Sequence, residues 1–272
     1  MTVDPSDLLV LLERFYDAVP RDRARAERHG ELELFVPDTS PWPFYARPRL
    51  GGGMPTAADI AVVRARQREL ALPEALEWVD ETTPGLIEVA EAAGLAVLRA
   101  PLMVLDPHAL PAVPAGVRVL DPDAPSFGSD VAVREAVARV GFRAPGTATG
   151  AAGAAARDAA LEALSEGRIR RDAARIRAGR AAQAVAETPD QGAVASGLYQ
   201  RVAGVAEIVG VATLPAARRR GLGAAVTVAL ARHALDHGAT TVFLSAAEED
   251  VARVYARVGF RRVGTACIAE PA

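Results

Sequence analysis

Residues 208–223 carry the types and spacing best suited to chemistry. An apolar, strand-like run reaches Pro215, and six residues later a helix opens at Gly221. The first turn of that helix has no Ser, Thr, Asp or Asn to accept its free backbone N–H groups. Arg218, Arg219 and Arg220 stand at the same end, where the helix dipole disfavours positive charge. An anion bound at the helix start accounts for both features. Gly221 and Gly223 would let a pyrophosphate approach the backbone, and the amides of Gly221, Leu222, Gly223 and Ala224 would point at it. The competing reading is a solvated loop whose glycines serve only packing. Two rival phosphate motifs do not fit. The chain contains no Lys to end a nucleotide P-loop, and the Arg218-x-x-Gly221-x-Gly223 order differs from a dinucleotide fingerprint.

Other candidate groups are weaker by spacing alone. Tyr255 falls in the helical set Val251, Val254, Tyr255 and Val258, a core stripe with the hydroxyl at a rim. Glu207 lies in the strand-like Val205-Ala-Glu-Ile-Val. It reads either as an outward residue paired with an Arg or as a carboxylate whose apolar surroundings raise its pKa toward useful base strength. Cys267 reads as a small core residue. His29, His108, His233 and His237 lack ligand spacing with acidic or sulfur partners, so no metal is expected. Arg168, Arg170, Arg171, Arg175 and Arg177 crowd one segment. They form either a basic lip selecting an acidic substrate or, preferred on spacing, a solvated helix face with Ile169, Ala173 and Ile176 inward.

At Pro215-Ala-Ala-Arg218-Arg-Arg-Gly221-Leu-Gly223 and Tyr255-Ala-Arg-Val-Gly259-Phe260 the sequence resembles the GNAT superfamily of acetyl-CoA-dependent N-acetyltransferases, over about 116–272. The resemblance implies that Arg218 to Ala224 wrap the pyrophosphate of coenzyme A. It further implies that the backbone of Val211, Ala212 and Thr213 pairs with the pantetheine arm where two strands splay apart. Tyr255 is then expected beside the cofactor sulfur as the acid that protonates the departing thiolate. Glu207 stands at the distance from Arg218 at which protein-lysine acetyltransferases of the superfamily carry a general base. The implied reaction is direct attack by a small-molecule or peptide amine on the thioester, with no covalent intermediate. Many members carry an Asn seven residues before the Tyr; here Glu248 stands there. A reading from a different class is a non-catalytic acyl-CoA-binding or regulatory protein that keeps the pocket without turnover.

The elements that must position these groups follow from periodicity. A strand at 117–120 and a helix at 130–140 precede a Gly/Ala/Thr loop at 146–153 and a helical segment at 156–177. Strands at 182–187, 193–201 and 205–214 read as an antiparallel meander. Helix 221–237, strand 241–245, helix 249–258 and strand 260–268 follow, with Gly238 and Gly259 as helix stops. The N-terminal part repeats the second half of this order. A strand at 42–46 is followed by helix 57–72 behind Thr56 as N-cap, strand 75–79, helix 84–93 and strand 95–104. One constant offset pairs Gly94-Leu95 with Gly259-Phe260. At that offset Gly53 to Ala58 replace the Arg/Gly loop and Ala90 replaces Tyr255.

The expected class is α+β, a mixed sheet with the GNAT acyl-CoA N-acyltransferase fold in two tandem domains: a degenerate copy at 1–112 and a catalytic one at 116–272. Composition narrows the partners. The 272 residues carry a net charge of −3, which argues against a dedicated nucleic-acid binder. All 31 basic Lys/Arg residues are Arg, the mark of a GC-rich, bacterial genome. One cysteine cannot form an internal disulfide, residues 1–20 lack the pattern of a signal peptide, and no run is long enough to span a membrane. A cytoplasmic location without membrane partners is expected, with a homodimer as a compatible assembly.

Overall fold

A computed structural model describes residues 5–38 and 44–272. They divide into two compact units, Met1–Leu102 with Arg262–Ala272, and Met103–Arg261. This differs from a division at 1–112 and 116–272, because the last strand of the chain counts largely with the first unit.

In the first unit, α1 (Pro5–Ala18) turns the run Leu8, Leu9, Leu12, Phe15 and Tyr16 inward at helical spacing. A hairpin follows, β1 (Ala24–His29) and β2 (Leu32–Pro37), closed by a two-residue turn with Gly30 at φ +59°. Next come β3 (Ala46–Pro48), α2 (Ala57–Glu69), β4 (Leu76–Val79), α3 (Leu86–Ala92) and β5 (Leu95–Leu105). Within the expected strand at 42–46, residues 42 and 43 lie outside the described residues. Strand order is β1-β2-β3-β4, with β3 and β4 parallel, and the end of the chain pairs antiparallel to β4 from Ala266 to Ala269. Leu34, Ile60, Trp78, Leu86 and Cys267 share one core.

The second unit contains β6 (Val117–Val119), α4 (Phe127–Phe142), α5 (Ala154–Ala159), α6 (Glu166–Arg177), β7 (Ala181–Thr188), β8 (Gly192–Val202) and β9 (Val205–Thr213). It continues with α7 (Leu222–Asp236), β10 (Thr241–Ser245), α8 (Glu249–Ala256) and β11 (Phe260–Pro271), the last of which passes into the first unit after Arg261. The single helix expected over 156–177 is two helices. Ser165 accepts the Arg168 N–H and starts α6 afresh, so a local cap overrides the apolar period. Strands run β10-β9-β8-β7-β6, antiparallel except for the parallel β9–β10 pair. Ala182, Tyr199, Ala206 and Ile208 pack with Val226 and Leu230 of α7 and Tyr255 of α8. Val185 and Val194 pack on the opposite face with Val131 and Val137 of α4 and Ala173 of α6.

The internal repeat holds at the level of elements. Ala57, Leu76 and Leu95 open α2, β4 and β5, and at one constant offset Leu222, Thr241 and Phe260 open α7, β10 and β11. Each unit also places a parallel strand pair after its antiparallel run.

Candidate functional site

The site begins as a fault in the sheet. From Leu198 to Ser196, β8 advances two residues while β9 advances three, from Val209 to Ala212, so β9 carries a one-residue bulge. Gly210 supplies the left-handed backbone there, at φ +64°. On its other edge β9 pairs with β10 only at Val205, Ala206 and Glu207, opposite Thr241, Val242 and Phe243. Beyond Glu207 the two strands part, and the β10-facing edge from Ile208 to Thr213 has no ladder partner among the described residues. Val211, Ala212 and Thr213 lie on this open stretch. The strand expected from the sequence over 205–214 includes no bulge, although Gly210, isolated inside a strand pattern, is the signal that could have found it.

The chain leaves β9 through a single helical turn at Pro215–Ala217 and enters α7 at Gly221. Arg219 at φ +66° and Gly221 at φ +77° both take the left-handed conformation, which reverses the chain sharply before the helix. No side chain caps α7, and the first bond closing it runs from Ala225 N–H to Gly221 O. Leu222, Gly223 and Ala224 therefore begin a helix with an open N-terminal turn. A Cβ on Gly223 would lie 3.3 Å from Thr213 Oγ1, so the missing side chain lets the helix start close against the end of β9. Arg219 and Arg220 are exposed; hydrogen bonds from Thr188 and Gln191, and behind them the charge of Arg220, help hold the Asp190 carboxyl below its ordinary range. The Arg218 side chain is committed elsewhere, its guanidinium donating to backbone carbonyls of Gly141, Ala144, Ala148 and Thr213.

Glu207 sits at the last β9–β10 pair before the strands part and is 5% exposed. Its side chain projects to the face opposite Ala206 and Ile208, and Gln200 across β8 donates its Nε2–H to Glu207 Oε2 at 3.0 Å. Gln200 was missed in the sequence because only strand register reveals it. Tyr255 in α8 is 8% exposed, its ring edge-on to Phe260 at 6.2 Å between centroids. Burial pushes its phenol up to about 12, so the group keeps its proton at neutral pH. Glu248 is exposed at the start of α8, where a carboxylate complements the helix dipole.

The remaining candidates are structural. Burial raises the Cys267 thiol to about 12, and the side chain packs with Trp78 and Leu76. The rings of His233 and His237 stack at 3.9 Å, and His233 Nδ1 hydrogen-bonds the Tyr199 hydroxyl at 3.0 Å. No group of three or more potential metal ligands occurs among the described residues. Along α6, Arg168 pairs with Glu135 at 2.6 Å and Asp172 at 3.0 Å, while Arg170 pairs with Glu166 and Arg177 with Asp123. Ala173 is buried, with Ile169 and Ile176 packed beside it. Three of the five arginines are thus held in ion pairs on a helix face, as the solvated-face reading has it.

In the first unit the counterpart of the open helix start is closed by its own carboxylates. Thr56 caps α2 by accepting the Asp59 N–H, and Asp59 accepts the Thr56 N–H at 2.8 Å. Glu31 Oε2 accepts the Gly53 N–H at 2.6 Å and pairs with Arg49.

Residues 185–268 match the family model of FR47-like proteins. Among solved structures, a GCN5-related N-acetyltransferase from Kribbella flavida is 21% identical, covering 97% of this chain and 96% of its own with a TM-score of 0.68. A conserved protein of unknown function from Staphylococcus epidermidis is 14% identical over 94% of this chain and 97% of its own, TM-score 0.57. A GCN5-related N-acetyltransferase from Sphaerobacter thermophilus is 16% identical over 98% and 93%, TM-score 0.55. No curated protein sequence matches. The chain has the GNAT fold. No described helix is long and apolar enough to cross a membrane.

Proposed function

We propose that the second unit is an N-acetyltransferase that moves the acetyl group of acetyl-CoA to a primary amine. One observation carries this reading: an uncapped helix start, flanked by Arg219 and Arg220, adjoins the stretch where β9 has lost its neighbour. The amides of Leu222, Gly223 and Ala224 suit a pyrophosphate, and the open edge at Val211, Ala212 and Thr213 suits an amide-bearing arm added like a strand. Bound acetyl-CoA would supply the thioester carbon to which the acceptor nitrogen bonds as the carbon–sulfur bond breaks. Glu207 takes the proton the nitrogen sheds, directly or through a water, and Tyr255 delivers one to sulfur. The raised phenol suits Tyr255 to that duty, since it holds its proton across the neutral range.

Release of free thiol from acetyl-CoA in the presence of a panel of amines tests this directly. Tight binding without thiol release would identify an acyl-CoA-binding protein instead. Tyr255→Phe is expected to lower kcat about 100-fold with unchanged acetyl-CoA affinity, because only a proton donor is removed. Unchanged turnover at every pH removes the acid role.

The first unit reads as a copy that has lost the donor site, since the Thr56 and Asp59 N–H groups, counterparts of those of Gly221 and Ala224, are already taken by the Thr56–Asp59 capping pair. Calorimetry is expected to return one acetyl-CoA per chain, and two sites would contradict this.

A further inference from the structure

Arg218 opens the loop, and the resemblance assigned it to the pyrophosphate, but its guanidinium faces the other way. Nη2 donates to Gly141 O at 2.9 Å and to Ala144 O at 2.5 Å, Nη1 donates to Ala148 O at 2.9 Å, and Nε donates to Thr213 O at 3.3 Å. Gly141 lies in the last turn of α4 and Ala144 just past its cap at Arg143, where the carbonyls carry the negative pole of the helix dipole; Gly141 O also accepts the Ala144 N–H at 3.3 Å. Thr213 ends β9, on the stretch without a β10 partner. One planar cation thus joins three pieces of chain: the end of α4, the segment that follows it, and the end of the open strand.

The surrounding backbone is shaped for the same junction. A Cβ on Gly141 would lie 2.9 Å from the Cβ of Ala212, so α4 ends directly against the open strand. Gly150 N–H donates to Pro215 O at 3.2 Å, and Ala216 N–H donates to Ala152 O at 3.0 Å. A Cβ on Gly150 would come within 3.1 Å of Pro215 Cβ.

We propose that Arg218 is a positioning residue, not a phosphate ligand: its guanidinium fastens the segment after α4 to the end of β9 and so sets the donor-binding loop before any donor arrives. The proposal rests on the acetyltransferase reading only for its kinetic test. Lys cannot replace the fork, because a single ammonium offers one point of charge to carbonyls that approach from several directions.

Hydrogen exchange on the ligand-free full chain tests the junction independently of activity. In Arg218→Met, amides of 144–153 and 214–217, including Gly150 and Ala216, are expected to exchange at least about 10-fold faster, while those in the middle of α7 stay unchanged. Arg218→Lys, which keeps the charge, is expected to behave like Arg218→Met. Unchanged exchange in Arg218→Met, or wild-type protection in Arg218→Lys, overturns the proposal. The kinetic arm compares acetyl-CoA with acetyl-pantetheine, which lacks the pyrophosphate. Misplacement of the strand end is expected to lower kcat/KM about 10- to 100-fold with both donors. A loss confined to acetyl-CoA would mark Arg218 as a phosphate ligand and overturn it. If the wild-type protein cleaves neither thioester, the acetyltransferase reading fails while the exchange result still decides the role of Arg218.

Discussion

Gly221→Glu is expected to abolish measurable acetyl-CoA binding while leaving the chain folded. Position 221 sits at φ +77°, where a side chain costs about 1–2 kcal/mol of backbone strain, and no atom lies within 4 Å of a Cβ built there. The added carboxylate also falls beside the unpaired amides that open α7, which offsets part of that strain as an N-terminal anion. The same chemistry is already present in the first unit, where Asp59 closes the start of α2. A carboxylate held there excludes a second anion, and like charges brought together cost several kcal/mol, at least about 100-fold in affinity. Calorimetry with acetyl-CoA, beside a thermal melt, checks both halves. Unimpaired binding would remove the anion site and the functional reading built on it.

The largest loss of stability is expected from Arg47→Leu in the first unit. Arg47 is 2% exposed, bonded to Glu77 at 2.6 Å and Glu13 at 3.0 Å, with its guanidinium 4.5 Å from the centroid of the Tyr16 ring. Glu13 Oε2 in turn accepts the Val79 N–H and the Thr82 hydroxyl, so one cation ties α1, β3 and β4 together. Its removal leaves two carboxylates facing each other without a counter-charge, which costs about 3–5 kcal/mol. The loss should depend on pH. Burial holds the Glu77 carboxyl above its ordinary range, with Glu13 pushing the same way against Arg47. A carboxyl whose pKa is higher folded than unfolded takes up a proton on folding, so acid favours the folded state and that contribution fades as pH rises through the folded pKa. Without Arg47 the Glu77 pKa rises further. The deficit in urea unfolding is therefore expected to be largest at neutral pH and to shrink toward pH 5. A deficit under about 1 kcal/mol, far below the usual cost of breaking a buried pair, would show the cluster to be dispensable.

Elements with strong local signals were legible, and those without were not. The α7–β10–α8–β11 order followed from four-residue apolar spacing, from Gly238 and Gly259 as stops, and from short apolar strands. The hairpin of β1 and β2 escaped notice because β1 reads Ala-Arg-Ala-Glu-Arg-His, mostly exposed, with no alternation of apolar side chains to betray a strand. Helix α1 escaped too, since its apolar run Leu8–Leu12 is continuous rather than spaced and only packing shows which of those residues face inward.

At the candidate site the same division holds. An uncapped helix start behind three arginines is a property of neighbours in the chain, so the sequence alone determined that Arg219, Arg220, Gly221 and Gly223 border an open helix terminus. It also determined the repeat, because matching elements at one offset require only local propensity. Tertiary structure decided the rest: where β9 and β10 part, that Gln200 meets Glu207, that the Arg218 fork reaches back to Gly141 and Ala148, and that β11 ends in the first unit. Each depends on strand register or on contacts between residues distant in the chain, and long side chains such as Arg find whichever unpaired carbonyls the packing brings near.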